Sequence, residues 1–232
     1  GARPNYVLDD INLTIPQNKV TAIVGASGSG KTTLIKLMLG FYEPNQGDIS
    51  IGNENLSTFN LTWWRSQCGT VMQEGYLFSD TIARNIAISD DDINLERLRY
   101  ASRVANIADY VEALPLAYNT KIGQDGQGVS QGQRQRILIA RVVYKNPQFI
   151  FLDEATNALD ANNEKAIVEN LSDFYRGKTV VVVAHRLSTV KHADQIVVLD
   201  GGQIAETGTH AELTAKRGKY YELVKNQLEL GN

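Results

Sequence analysis

Three short stretches are apolar almost without interruption: VTAIV at 20–24, FIFL at 149–152 and TVVVVA at 179–184. Runs of this kind mark strands buried on both faces, as in a parallel sheet, and with the helix-length segments between them they predict an α/β fold. INLTI at 11–15 alternates apolar and polar residues, which predicts a strand with one solvated face. VVLDGGQIAE at 197–206 predicts a hairpin, because Gly201 and Gly202 sit between two short strand-like runs. Between residues 75 and 144 the period changes. Leu95, Leu98, Ala101, Ala105 and Ala108 recur at helical spacing, which predicts a helical insertion into the sheet domain.

Composition narrows the partners. With 23 basic and 26 acidic residues the net charge is −3, which leaves no global electrostatic footprint for nucleic acid or an anionic membrane. The single cysteine, Cys68, cannot form an internal disulfide and reads as a buried thiol. No apolar run approaches the roughly 20 residues of a membrane span. The chain begins at Gly1 without a methionine, as an excised domain would.

The strongest chemical signal follows the first apolar strand. GASGSGKTT (Gly25, Ala26, Ser27, Gly28, Ser29, Gly30, Lys31, Thr32, Thr33) fits the phosphate-loop pattern G-x-x-x-x-G-K-[ST] between a strand and a helix. Its glycines let successive backbone N–H groups converge on one point, and the following helix adds its positive end. Lys31 is placed to neutralise β- and γ-phosphates, and the Thr32 hydroxyl to ligate Mg²⁺. FIFLDEA at 149–155 supplies acids where a buried strand emerges. Asp153 suits a metal and Glu154 suits the proton of an attacking water, the two roles that phosphoanhydride hydrolysis needs. A further polar segment, GQDGQGVSQGQRQR at 123–136, has Ser130 followed three residues later by Gln133. That capping-box spacing predicts a helix starting at Ser130 and running through ILIARVVY until Pro147.

Taken in order, these motifs resemble the nucleotide-binding domain of an ATP-binding cassette transporter, over almost the whole chain. The resemblance implies a P-loop core with a parallel sheet and an N-terminal antiparallel β part (about 1–74 and 146–232), and a helical subdomain (about 75–145). It makes VSQGQ (Val129, Ser130, Gln131, Gly132, Gln133) the signature motif, acting on ATP held by a second copy in a head-to-tail homodimer. Gln73 resembles the glutamine that senses γ-phosphate and metal, so the metal set is Thr32, Gln73 and Asp153. Asn157, Ala158, Leu159 and Asp160 resemble the loop that crosses the dimer interface, and His185 the histidine that contacts γ-phosphate, beside Glu154 as base. Gln131 departs from the usual LSGGQ, standing where the family has its first glycine. The adenine-stacking aromatic falls at or before residue 1; Tyr6 is the nearest candidate and is expected to pack on the sheet instead.

TKIGQDG at 120–126 and LFSDTIARNI at 77–86 are exporter-like. The implied protein is thus an ATP-hydrolysing exporter motor at the cytoplasmic face of a membrane, working with a transmembrane domain, with peptide exporters carrying a fused protease as a candidate parent. Trp63, Trp64, Tyr76, Leu77 and Phe78 are divided between core packing and a dock for that transmembrane part. Cassette ATPases of DNA repair or chromosome organisation are set aside because no coiled-coil or zinc insertion interrupts Lys31 to Ser130. A module that holds ATP with little turnover is the rival of a different class.

Overall fold

The computed structural model describes residues 5–73, 75–88, 91–124, 126 and 128–228. In chain order its elements are β1 Val20–Gly25, α1 Lys31–Met38, β2 Ser50–Ile51, β3 Glu54–Asn55, α2 Leu61–Ser66, β4 Cys68–Val71, β5 Asp80–Thr81 and α3 Ile82–Ile86. Then come α4 Leu95–Val104, α5 Ala108–Glu112, β6 Lys121–Ile122, α6 Gln131–Lys145, β7 Phe149–Asp153, α7 Ala161–Phe174 and β8 Thr179–Val183. The chain closes with α8 Leu187–Val190, β9 Gln195–Asp200, β10 Gln203–Gly208, α9 His210–Lys216 and α10 Lys219–Leu223.

The three apolar runs form the middle of one six-stranded sheet of order β10-β9-β1-β8-β7-β4. Every pairing in it is parallel except that of β10 with β9, where the glycine turn closes the expected hairpin. Gly201 and Gly202 take φ of 55° and 79° there, both positive, as the tight hairpin turn requires. Because successive side chains point to opposite faces, each central strand feeds two cores. Ala22, Val24, Ile150, Leu152, Val180 and Val182 pack with Ile137 of α6 and Ile167 of α7. Ile23, Phe151, Val181 and Val183 pack with Leu34 and Ile35 of α1 and with Trp64 of α2. Each such side chain contributes about 2 kcal/mol on full burial, which is why these strands carry almost no polar residue except at their ends.

INLTI is not a strand. Ile11, Leu13 and Ile15 are partly buried against the second core while Asn12 and Thr14 are exposed, so the alternation is real. Among the described residues it joins no ladder, and an extended segment lying on a packed face meets the same pattern. The helical period from Leu95 is also interrupted: Asn106 turns to φ 53°, ending α4 before α5 begins, and Leu95 itself is exposed. Cys68 is buried, which pushes its thiol up to about 12. Among the described residues no helix is long and apolar enough to cross a membrane.

Candidate functional site

The sheet order decides where the chemistry collects. β1, β8, β7 and β4 are neighbours and parallel, so their C-terminal ends present the loop at Gly25, then His185, then Asp153 and Glu154, then Gln73 along one edge. The loop from Gly25 is tightly built. A Cβ on Gly25 would lie 2.4 Å from the Leu199 carbonyl oxygen, and Gly30 takes φ 103° as the residue capping α1. Unlike α6 and α7, α1 has no side-chain N-cap, so its first-turn N–H groups are left to the loop.

Lys31 is buried, and its Nζ donates to the carbonyls of Gly25 at 2.7 Å and Ala26 at 3.0 Å. Burial makes its ammonium give up a proton more readily, against the opposing fields of Glu154 and Asp153. Asp153 is buried too; burial holds its carboxyl above the ordinary range, while a hydrogen bond from Thr32 acts the other way. Thr32 Oγ1 donates to Asp153 Oδ2 at 2.8 Å, and among the described residues Asp153 Oδ1 and Ser29 Oγ are buried with no hydrogen-bond partner. An orphaned carboxylate oxygen beside a threonine hydroxyl is a pair of hard oxygen donors, which fits a divalent cation such as Mg²⁺.

Glu154 follows in a left-handed backbone, φ 54°, held by its N–H to the Val183 carbonyl at 3.0 Å. Its carboxylate Oε1 is paired with His185 Nε2. This joins the two residues expected to act on the terminal phosphate. Gln73 is exposed past the end of β4.

The segment at 129–133, expected to be the signature, forms the helix its capping box predicts. Ser130 Oγ accepts from the Gln133 N–H at 3.1 Å, and the Ser130 N–H donates to Gln133 Oε1 at 2.9 Å. The Ser130 hydroxyl proton is left free of that arrangement. Val129 packs against the core, Gln131 is exposed, and a Cβ on Gly132 would lie 3.3 Å from the Ala158 carbonyl oxygen. The retained glycine is therefore the one crowded by this chain's own 157–160 loop. Among the described residues no hydrogen bond joins 129–133 to the loop at 25–33.

Some site features had no sequence signal. Gln135 of α6 bonds to the loop after Glu154, donating to the Glu154 carbonyl and to Asn157 Oδ1 and accepting from the Ala158 N–H. On the other side Arg186 donates to the Leu159 carbonyl at 2.9 Å and pairs with buried Glu164. Ser188 and Thr189 add hydroxyls to Glu164 at 2.7 and 3.2 Å. No spacing rule links these positions; only the fold does.

Tyr6 does not pack on the sheet as expected. It is 40% exposed, and Leu8 takes the inward place, filling the space that a Cβ on Gly30 would need. The aromatic group divides: Trp64 is buried against Phe149 and Leu77 is partly buried, whereas Trp63, Tyr76 and Phe78 are exposed. The two exporter-like segments meet in the β5–β6 ladder, Asp80 opposite Ile122 and Thr81 opposite Lys121; Asp125 of the second lies outside the described residues.

The ABC transporter family model matches residues 8–157, and the chain belongs to that family. It is 45% identical over 226 residues to "ABC transporter B family member 13" of Arabidopsis thaliana, covering 97% of this chain and 18% of that protein. It is 45% identical over 231 residues to the mitochondrial "ATP-binding cassette sub-family B member 10" of Mus musculus, covering 97% of this chain and 32% of that protein. The "Toxin RTX-III translocation ATP-binding protein" of Actinobacillus pleuropneumoniae is 45% identical over 224 residues, with 96% of this chain and 31% of that protein covered. The chain thus spans a third or less of the length of these relatives. A solved bacterial Atm1-family ABC exporter with ATP bound superposes with a TM-score of 0.91 at 36% identity, over 97% of this chain and 40% of that one.

Proposed function

We propose that this chain is the ATP-binding and ATP-hydrolysing motor domain of an exporter, working as a head-to-tail homodimer against a transmembrane domain at the cytoplasmic face. Residues 75–145 are read as its helical subdomain and the remainder as the nucleotide-binding core. The observation that carries the reading is the grouping at the strand ends. A buried lysine in a glycine loop stands beside a buried aspartate with an orphan oxygen, and next to them a glutamate is paired with a histidine.

In this reading the loop N–H groups and Lys31 bind the β- and γ-phosphates, and Thr32, Asp153 and Gln73 are the residues that would hold Mg²⁺. The metal would supply charge neutralisation across the phosphates. Glu154 takes the proton of the attacking water, and His185 holds its carboxylate and meets the terminal phosphate. Burial of Lys31 and Asp153 suits these tasks, because charges in a dry site act on one another more strongly than in water. Ser130, Gly132 and Gln133 present the N-terminal end of α6 to a phosphate on a second copy. The relative named for RTX-III toxin translocation supports an exported peptide as cargo.

Phosphate release measured with Glu154→Gln against wild type tests this. Loss of general-base assistance predicts a fall of roughly hundredfold or more with ATP binding kept. Equal and negligible release by both proteins would favour a module that holds ATP without turning it over.

A further inference from the structure

We propose that Gln135 and Asn157 form an amide relay that holds the Glu154 carboxylate in its working orientation, which makes Gln135 a positioning residue for hydrolysis. The inference rests on Glu154 being the general base. Gln135 sits on α6, far from Glu154 in sequence, and its amide reaches the loop after β7 through three hydrogen bonds.

Backbone groups fix the direction of the relay. The Ala158 N–H can only donate, so the atom of Gln135 facing it at 2.9 Å is Oε1. Nε2 therefore points the other way, to the Glu154 carbonyl oxygen at 3.3 Å, which can only accept, and to Asn157. A donor facing Asn157 requires its Oδ1 on that side, which turns Asn157 Nδ2 toward Glu154 Oε2 at 3.4 Å. The other carboxylate oxygen meets His185. Flipping the Gln135 amide would break both of its bonds to the backbone, and flipping Asn157 would set its Nδ2 against Gln135 Nε2 and its Oδ1 against the Glu154 carboxylate.

Several features make such a relay useful. Asn157 is exposed, and an exposed amide with no second partner would rotate; Gln135, only partly exposed on a fifteen-residue helix, removes that freedom. The contact to Oε2 lies at the long end of hydrogen bonding and reaches the carboxylate oxygen that faces away from His185. Gln135 also grips the carbonyl of Glu154 itself, whose left-handed backbone aims the side chain. The same helix begins at Ser130, so the end that meets the partner's nucleotide and the brace on this chain's own base are one rigid element.

The test is phosphate release over a range of ATP concentrations for Gln135→Met, Gln135→Glu, Asn157→Ala and the double variant Gln135→Met/Asn157→Ala. Methionine keeps the size and helix preference of glutamine without its amide; glutamate keeps the acceptor for Ala158 and loses the donor. Both should lower kcat about tenfold or more with KM for ATP within about twofold, since misplacing a reacting group costs rate rather than binding. The double variant should lose less than the product of the two single losses, because the Asn157 part of the relay is common to both. Wild-type kcat in Gln135→Met, or losses that multiply in the double variant, would overturn the relay while leaving the hydrolysis reading standing. Full activity in Glu154→Gln would remove the base and the relay with it.

Discussion

The Thr32 hydroxyl donates to Asp153 across 2.8 Å, tying the first turn of α1 to the end of β7 and leaving the second carboxylate oxygen of Asp153 buried and unpartnered. A carboxylate in that state is a cost to the unliganded fold that a cation would relieve.

Asp153→Asn should therefore act in opposite directions on stability and function. Burial raises the folded-state pKa of Asp153, so the folded chain holds that proton more tightly than the unfolded chain. Its contribution to stability is present below the unfolded pKa, about 4, and is lost as pH rises through the folded value. At pH 7 the ionised group opposes folding, and Asp153→Asn should raise the thermal midpoint of the ligand-free domain. The gain should vanish in acid below both pKa values. In the same variant Mg²⁺ should no longer strengthen ATP binding. A midpoint at pH 7 unchanged or lowered by the substitution would contradict the account of Asp153.

The two positions of the signature that differ in crowding should differ in tolerance. Gly132→Ala places a methyl group 3.3 Å from the Ala158 carbonyl and should push α6 off the 157–160 loop, lowering phosphate release several-fold. Gln131 is exposed, so Gln131→Gly should change stability by no more than about 1 kcal/mol and leave the rate near wild type. Steady-state turnover of the pair checks this; a larger loss at residue 131 than at 132 would reverse the reading.

Arg186→Ala would strand Glu164, which is buried and, among the described residues, keeps the hydroxyls of Ser188 and Thr189. Removing one partner of a buried pair costs about 3 kcal/mol, or about 10 °C in the midpoint for a domain of this size. Calorimetry of Arg186→Ala beside Glu164→Gln measures it; the glutamine variant, which leaves behind the more exposed Arg186 guanidinium rather than the buried carboxylate, should lose less.

Much of this molecule was readable in advance, and the boundary has a physical cause. The strands β1, β7 and β8, the glycine hairpin and the Ser130–Gln133 cap all depend on residues close together in sequence, where burial period and local hydrogen bonding speak directly. INLTI misled because alternation reports a half-buried extended segment and cannot report whether a partner strand lies beside it. The left-handed backbone of Glu154, the Gln135 brace and the Arg186–Glu164 pair depend on contacts across long stretches of chain. Glutamine and arginine in polar runs look like solvated surface until the fold brings them to a loop.

If one chain's phosphate loop works with another chain's signature, two variants disabled at different halves of the site should rescue each other when mixed. Lys31→Ala removes the buried ammonium of the loop, and Ser130→Arg blocks the capped start of α6. Each alone should release almost no phosphate, because every site in its homodimer carries the defect. In a mixed dimer the intact Lys31 of one chain faces the intact Ser130 of the other, giving one whole site. With random pairing and independent sites, an equal mixture should recover up to about a quarter of the wild-type rate. If α6 instead serves the nucleotide on its own chain, no mixed dimer holds a complete site, and a mixture as inactive as its two components would contradict the account.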